Sequence, residues 1–320
     1  VKRIKHFFLC CLLSALCSLS AQDGTFGGTP SFEADDSISW IDENAEEAPI
    51  PYFGQLDVNY DYVFPSSIKG SEFAGQRVGF GEGNIVFGYT RLLSRNHGYN
   101  VGIGMTTSGI FWNENPFFNQ ENFDTFDVSL NGFTKCWRCL ELKAGASICT
   151  QTGEWRWDYT FGLLSGWARY AFCTPWLGEV GLNLGATSRV GLQRGYIYPI
   201  AGIDFKPRKH IEVNLIFPID MAVIYQLTES FSLDLRGKFW NTRRRLREDE
   251  VVSRGYYDYI NSGIELGLNF DCDPYAFMNL HVGTTIGADE FRISNSQDHE
   301  VLNVKLKPSP YLGGKVWVRF

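Results

Sequence analysis

Residues 52–64 read Tyr-Phe-Gly-Gln-Leu-Asp-Val-Asn-Tyr-Asp-Tyr-Val-Phe. Leu56, Val58, Tyr60, Tyr62 and Phe64 share one parity, and Gln55, Asp57, Asn59 and Asp61 share the other. A period of two puts apolar side chains on one face of a strand and polar ones on the other. That is the pattern of a strand between lipid and a wet interior. The alternation recurs at 126–130, 140–148, 180–186, 211–217, 231–235, 264–270 and 278–282. A soluble sandwich also alternates, so the number of strands and their connections must decide.

The spacing predicts about 14 strands, with 12 as the alternative, beginning near residues 52, 76, 98, 123, 139, 155, 178, 195, 209, 220, 231, 256, 275 and 311. Most reach the roughly 9 to 11 residues that cross a bilayer at a tilt, and the tenth is marginal. Alternate connections then fall into two classes. Residues 94–97, 135–138, 173–176, 207–208, 228–230 and 271–274 are tight and rich in turn formers. Residues 65–75, 113–122, 241–255 and 291–310 are longer and more polar, whereas 151–154 and Pro218 break the trend. Short turns on the inner side and longer loops on the outer side are the habit of transmembrane barrels. The expected fold is therefore all-β, a transmembrane antiparallel β-barrel over residues 52–320.

What precedes the first strand carries no strand pattern. Lys2, Arg3 and Lys5, an apolar run over 7–13 and small residues Ser18, Ser20 and Ala21 have the layout of a cleaved signal peptide, residues 1–21. Residues 22–51 carry eight acidic side chains, no Lys or Arg, and several Gly and Pro, which reads as a flexible acidic leader. No later segment offers about 20 uninterrupted apolar residues for a membrane helix. The 49 aromatic residues exclude disorder as the main state. The formal charge of -7 argues against a nucleic-acid binder.

The last strand, residues 312–320, reads Leu-Gly-Gly-Lys-Val-Trp-Val-Arg-Phe and alternates to its end. Here the sequence resembles bacterial outer-membrane β-barrel proteins. The resemblance implies that Val316, Val318 and Phe320 form the signal read by the barrel-assembly machinery, and that the chain sits among outer-membrane lipid. Residues 199–218 also look similar to an uncharacterised outer-membrane barrel domain family, to which no activity is attached. Five cysteines beyond the signal depart from ordinary porins and are more like barrels of chlamydia-type envelopes.

Parity assigns the lumen. Asp57, Asp61, Glu141, Lys143, Arg156, Asp158, Arg236 and Lys238 are the lumen candidates, with both signs present. A mixed, wet interior suits a porin-like channel for passive passage of small solutes. The alternative is a non-conducting barrel with a structural or surface-interaction role. Cys136, Cys139, Cys173 and Cys272 map to inner turns, where the periplasm permits disulfides. Cys139 and Cys173 are candidates to bridge neighbouring strands, and Cys136 and Cys272 to bond other envelope proteins.

Chemistry-bearing motifs are sparse. An outer-membrane hydrolase would need a Ser-His pair with an orienting carboxylate, and His281 has Thr284 and Thr285 nearby but no local serine. Asp298-His299-Glu300 could contribute to a rim site, but three adjacent residues cannot all face one centre. Cys136-x-x-Cys139 lacks the second pair of a zinc site. The glycines around Gly79-Phe80-Gly81-Glu82-Gly83 lie in a strand, not before a helix, and form no phosphate loop. The expectation is therefore no enzyme, no cofactor and no metal. Arg243-Arg244-Arg245 in an expected outer loop could meet lipopolysaccharide phosphates, fold back as a constriction, or stay solvated.

Overall fold

The computed structural model describes residues 52–320 apart from 70–72, 74, 95, 138, 273, 274 and 287–289. The signal-peptide and leader assignments lie outside the described residues. In chain order the strands are β1 (Tyr52–Lys69), β2 (Arg77–Ser94), β3 (His97–Trp112), β4 (Asn122–Trp137), β5 (Leu140–Gln151), β6 (Thr160–Thr174), β7 (Gly178–Gly191) and β8 (Tyr196–Arg208). They continue as β9 (Ile211–Phe217), β10 (Asp220–Thr228), β11 (Phe231–Arg245), β12 (Tyr256–Cys272), β13 (Ala276–Thr285), β14 (Glu290–Ser294), β15 (Glu300–Leu306) and β16 (Pro310–Arg319).

Strands β1 to β13 pair antiparallel in chain order, and β16 joins β13 to β1 to close the ring. The wall has 14 strands. Closure leaves no open edge around the base of the barrel, which is what makes a sheet tolerable in hydrocarbon. The C-terminal residue is part of the seam: Phe320 and Gly54 exchange both backbone hydrogen bonds, at 2.8 and 3.0 Å.

The outward faces carry the apolar residues that the alternation predicts. Ile85, Ile103, Leu130, Leu184, Leu266 and Val282 are all at least half exposed. Exposed rings lie towards both rims, Trp137, Trp176 and Tyr275 at one end and Tyr60 and Phe64 towards the other, as girdles do at membrane interfaces. Glycines on the outer face of β2 make room for rings: a Cβ on Gly83 would lie 2.5 Å from Cδ2 of Tyr60.

Two expected outer loops are not loops. Residues 291–310 hold β14 and β15, which pair with one another. β14 extends the line of β13 along β12, and β15 leads into β16 along β1. The expected loop 241–255 shrinks to 246–255, because β11 pairs with β12 as far as Arg245↔Tyr256. The polarity of this run is compatible with solvent, with lipopolysaccharide phosphates or with a constriction. Its polar groups are paired with one another inside the barrel.

Candidate functional site

A strand of a membrane barrel shows one face to lipid or water. The outer half of β11 shows neither, since every residue from Trp240 to Arg245 is buried, and so are Tyr256 to Tyr259 on β12. The cause lies in the neighbouring hairpin. β9 and β10 turn at Pro218-Ile219, and the β10–β11 ladder ends at Met221↔Gly237. Beyond that point β11 has no wall partner on its β10 side, and the sheet of β11, β12, β14 and β15 folds across the outer mouth.

One face of this sheet packs on the inner surface of β1 to β4. Phe80, Trp112, Phe123, Trp240, Tyr257, Tyr259 and Phe291 build a single apolar core there with Val63, Ile110 and Ile293. Phe80 stacks on Tyr259 at a centroid distance of 3.9 Å. Each ring so buried contributes about 1.5–3 kcal/mol relative to exposure. Polar groups on this face also meet the wall: Thr242 donates to Glu82 at 2.6 Å, and Ser108 Oγ lies 2.9 Å from the Tyr257 hydroxyl.

The other face carries an ion cluster of the sheet's own residues and meets β5 to β8 mainly through hydrogen bonds. Arg243 is fully buried; its Nη1 donates to both Asp258 oxygens at 3.0 and 2.7 Å, and its Nη2 to Asp298 at 2.6 Å. Arg292 donates to the same two carboxylates. Arg243 and Arg292 balance Asp258 and Asp298, and buried Arg189, whose Nη1 reaches the Asn241 carbonyl at 3.5 Å, adds a third cation beside them. The backbone edge of β11 is covered as well. The Gln151 amide both donates to and accepts from the Arg245 backbone, and Arg243 Nε reaches the Leu192 carbonyl. Arg245 also meets Asp158, and Tyr159 donates to the Leu246 carbonyl. The arginine run is thus a constriction, held wall to wall.

In the turn between β14 and β15, burial works to raise the Asp298 carboxyl. The Arg243 hydrogen bond and the Arg243 and Arg292 charges outweigh it and hold the group below the ordinary carboxylate range. In the connection between β11 and β12, the Arg254 hydrogen bond lowers the carboxyl of Glu248.

Beneath the sheet lies a cavity of 260 Å³. On one side it is lined by Asp61, Arg236, Lys238, Glu265, His281 and Lys315. Lys238 Nζ sits 3.0 Å from Asp61, and His281 Nε2 sits 2.7 Å from the other oxygen of the same carboxylate. The direction of the remaining bonds follows from Asp234, which as a carboxylate accepts only. Asn269 donates to it at 2.9 Å, Asn279 donates to Asn269 at 2.6 Å, and the Asn279 oxygen is left to receive Nδ1–H of His281 at 2.6 Å. Tyr311 donates to Glu265 at 3.1 Å. The network ties β1, β11, β12, β13 and β16 together below the inward sheet.

The lumen candidates divide. Asp57, Asp61, Glu141, Lys143, Arg236 and Lys238 lie on the inward parity of their strands, and Lys315–Asp57 and Lys143–Glu141 form ion pairs. Arg156 and Asp158 do not. They occupy the outer connection before β6, around a single 3-10 turn at Trp157–Tyr159, because β6 begins at Thr160 and not near 155. There they meet Glu248 and Arg245.

All five described cysteines are free thiols. The candidate bridge fails on register. Ala171 donates to the Cys139 carbonyl, so Cys173 is offset by two residues along the ladder and faces Glu179 across β7. Cys136, Cys173 and Cys272 are exposed at the turn-rich rim, and Cys149 is buried under the inward sheet beside Phe161, Leu163, Leu192 and Tyr256. His281 engages Asp61 and Asn279 and, among the described hydrogen bonds, no serine or threonine. Asp298 serves the ion cluster. Val316 and Val318 face outward on β16, beside the seam at Phe320. Glu82, Asn84 and Arg189 were not singled out by parity; the alternation of Phe80, Glu82 and Asn84 with glycines carried that signal.

No family model matches the chain. It is 22% identical over 327 residues, 97% of this chain and 100% of the relative, to an uncharacterised protein of Chlamydia pneumoniae. An uncharacterised Chlamydia muridarum protein is 20% identical over 77% of this chain and 81% of its own length. Among solved structures, similar chains include an outer membrane channel of Pseudomonas putida F1, with a TM-score of 0.47 and 8% identity over 87% of this chain and 98% of that one. The translocator domain of the autotransporter NalP from Neisseria meningitidis has a TM-score of 0.37 and 12% identity, covering 86% of this chain and 90% of its own.

Proposed function

We propose that this chain is an outer-membrane channel for passive passage of small solutes, shut at its outer mouth by the inward sheet and opened when that sheet moves. The observation that carries the reading is the charged, cavity-bearing lumen directly beneath a sheet that packs on β1 to β4 through an apolar core and on β5 to β8 through hydrogen bonds. A purely structural barrel has no need of a wet interior; an always-open porin has no need of the closure. Phe320 and the alternation before it act as the assembly signal, and the envelope machinery delivers the barrel to outer-membrane lipid.

A second reading has its own support. The apolar core between the sheet and β1 to β4 could be permanent, and the barrel would then serve as an anchor or surface element, with the rim thiols Cys136, Cys173 and Cys272 available for bonding to other envelope proteins. Liposome swelling separates the two. Wild-type vesicles should swell slowly in isotonic arabinose, and vesicles carrying Arg243→Ala should swell faster. Equal, protein-independent swelling of both, with folded barrel present in each, favours the anchor.

A further inference from the structure

The short hairpin that frees β11 also lowers the wall. β9 has seven residues and β10 nine, against 13 in β8 and 15 in β11. At about 3.3 Å per residue and a tilt of about 40°, β9 climbs roughly 18 Å, short of an apolar band of about 25 Å. Its two ends differ in chemistry. The inner ends carry Lys209 and His210, and Glu229, whereas the outer tip is Phe217-Pro218-Ile219. A polar base and an apolar tip place the tip within hydrocarbon, not above it. From there outward, residues 238–240 of β11 face β8 with no β9 or β10 between them, and Asn241 Nδ2 donates to the Tyr198 hydroxyl of β8 at 3.2 Å above that gap.

The cavity reaches this gap. Pro218, Ile219 and Met221 line it, and so do Gly237 and Phe239, which lie on the lipid-side parity of β11. The cavity therefore passes around the edge of β11 where β10 has stopped. Trp167 and Leu163 add apolar surface to the same side. Across the cavity, on β2 and β4, stand Asn84, Ser129 and Asn131. They are 9%, 3% and 8% exposed, and Asn84 Oδ1, Ser129 Oγ and Asn131 Nδ2 have no hydrogen-bond partner among the described residues. Uncharged polar groups with spare capacity thus face the inside, and apart from Asp220, which is ion-paired with Arg236, apolar groups flank the opening to the bilayer.

From this polarity we infer that the gap above the β9–β10 hairpin is a lateral portal, through which a small amphiphile with an uncharged hydrogen-bonding head exchanges between the bilayer and the cavity. The apolar body lies against Pro218, Ile219, Met221 and Phe239. The hydroxyl or amide head reaches Asn84, Ser129 and Asn131. A volume of 260 Å³ exceeds the cavity of about 150 Å³ that takes up one benzene, so a ring or short alkyl chain with a head fits. The inference rests on the lumen being a solute site. It adds the substrate class and the route, and needs no movement of the inward sheet.

A diazirine-bearing octanol tests it on the full-length barrel in phosphatidylcholine vesicles. Photolysis should label Trp167, on the inner side of the cavity, and excess 1-octanol should suppress that labelling while lipid-facing Leu182 and Leu184 label without saturation. A hairpin extension with an Asn-Gly turn, inserted between Pro218 and Ile219 to raise the wall, should slow cavity labelling severalfold. Ile219→Trp, which narrows the gap without changing its length, should slow it less. Asn131→Leu should weaken competition by 1-octanol more than competition by octane. Labelling confined to lipid-facing residues, or cavity labelling unchanged in both wall variants when gel mobility shows them folded, overturns the portal. Conductance recorded on the same preparations keeps the readings apart: saturable labelling without conductance removes the channel and leaves the portal, and conductance without labelling does the reverse.

Discussion

Replacing Arg243 by alanine should loosen the inward sheet without unfolding the barrel. The side chain is fully buried and makes three charged hydrogen bonds, two to Asp258 and one to Asp298, with a fourth bond to the Leu192 carbonyl. Removing one partner of a buried ion pair costs about 3–5 kcal/mol. Arg292 still reaches both carboxylates, so the lower end, about 3 kcal/mol, applies. The loss falls within the sheet, whose β14–β15 turn is then tied to β12 by Arg292 alone, and on its bond to the Leu192 carbonyl, so local opening of the sheet should rise by up to about a hundredfold. Cys149 reports it, because the thiol is 3% exposed and sits under Tyr256 of the moving sheet. In a background with Cys136, Cys139, Cys173 and Cys272 changed to serine, its reaction with a charged methanethiosulfonate should scale with the open population, provided that closing outruns reaction. Wild type should react slowly and Arg243→Ala up to about a hundredfold faster. Arg243→Lys, which keeps the charge and loses the fork, should fall between them. Two results would refute the reasoning: wild-type Cys149 reacting like an exposed thiol, or Arg243→Ala reacting at the wild-type rate.

Other expectations follow from the same geometry. Asp298 titrates below the ordinary carboxylate range, so its contribution to closure is complete above the unfolded value of about 3.9 and is lost as pH falls through the lower folded value. Cys149 protection should accordingly be flat in Asp298 charge between about pH 5 and 8 and weaken in strong acid, and Asp298→Asn should remove that acid step. Phe320→Ala removes a ring from the seam beside Gly54 and Phe87. Heat-modifiable barrel should drop in cells, while the same variant refolded in detergent retains much of its yield. Native envelopes run without reductant should show high-mass species that collapse on reduction and disappear in the Cys136→Ser, Cys272→Ser double variant. A lone monomer band with all five thiols alkylatable after denaturation counts against cross-linking.

Much of the architecture is legible in period-two alternation, because a wall strand between lipid and lumen imposes one chemistry on each face. The alternation fixes the 14-strand ring and the tight turns, and parity assigns Asp57, Asp61, Glu141, Lys143, Arg236 and Lys238 to the lumen. The rule stops working where a strand leaves the wall. Trp240 to Arg245 are buried on both faces, yet three arginines in a row leave a lipopolysaccharide contact, a constriction and a solvated loop equally open; nothing local shows that Asp258, Asp298 and Glu82 come to meet them. The same holds for 291–310, whose polar residues conceal β14 and β15. Arg156 and Asp158 alternate like strand residues, but the 3-10 turn at Trp157–Tyr159 takes them out of the wall. The short β9–β10 hairpin was visible as an exception to the loop pattern. Its consequence, the inward turn of β11, depends on a partner that is missing over 238–245 and so cannot be read from β11 itself.

Single-channel recording across a planar bilayer tests the central claim most directly. The sheet-closed channel predicts long silent periods in wild type, broken by discrete steps, and the same step size at much higher open frequency in Arg243→Ala. A wild-type barrel that conducts continuously would contradict the closure. Silence from both proteins, each shown to be folded and inserted, would contradict the channel.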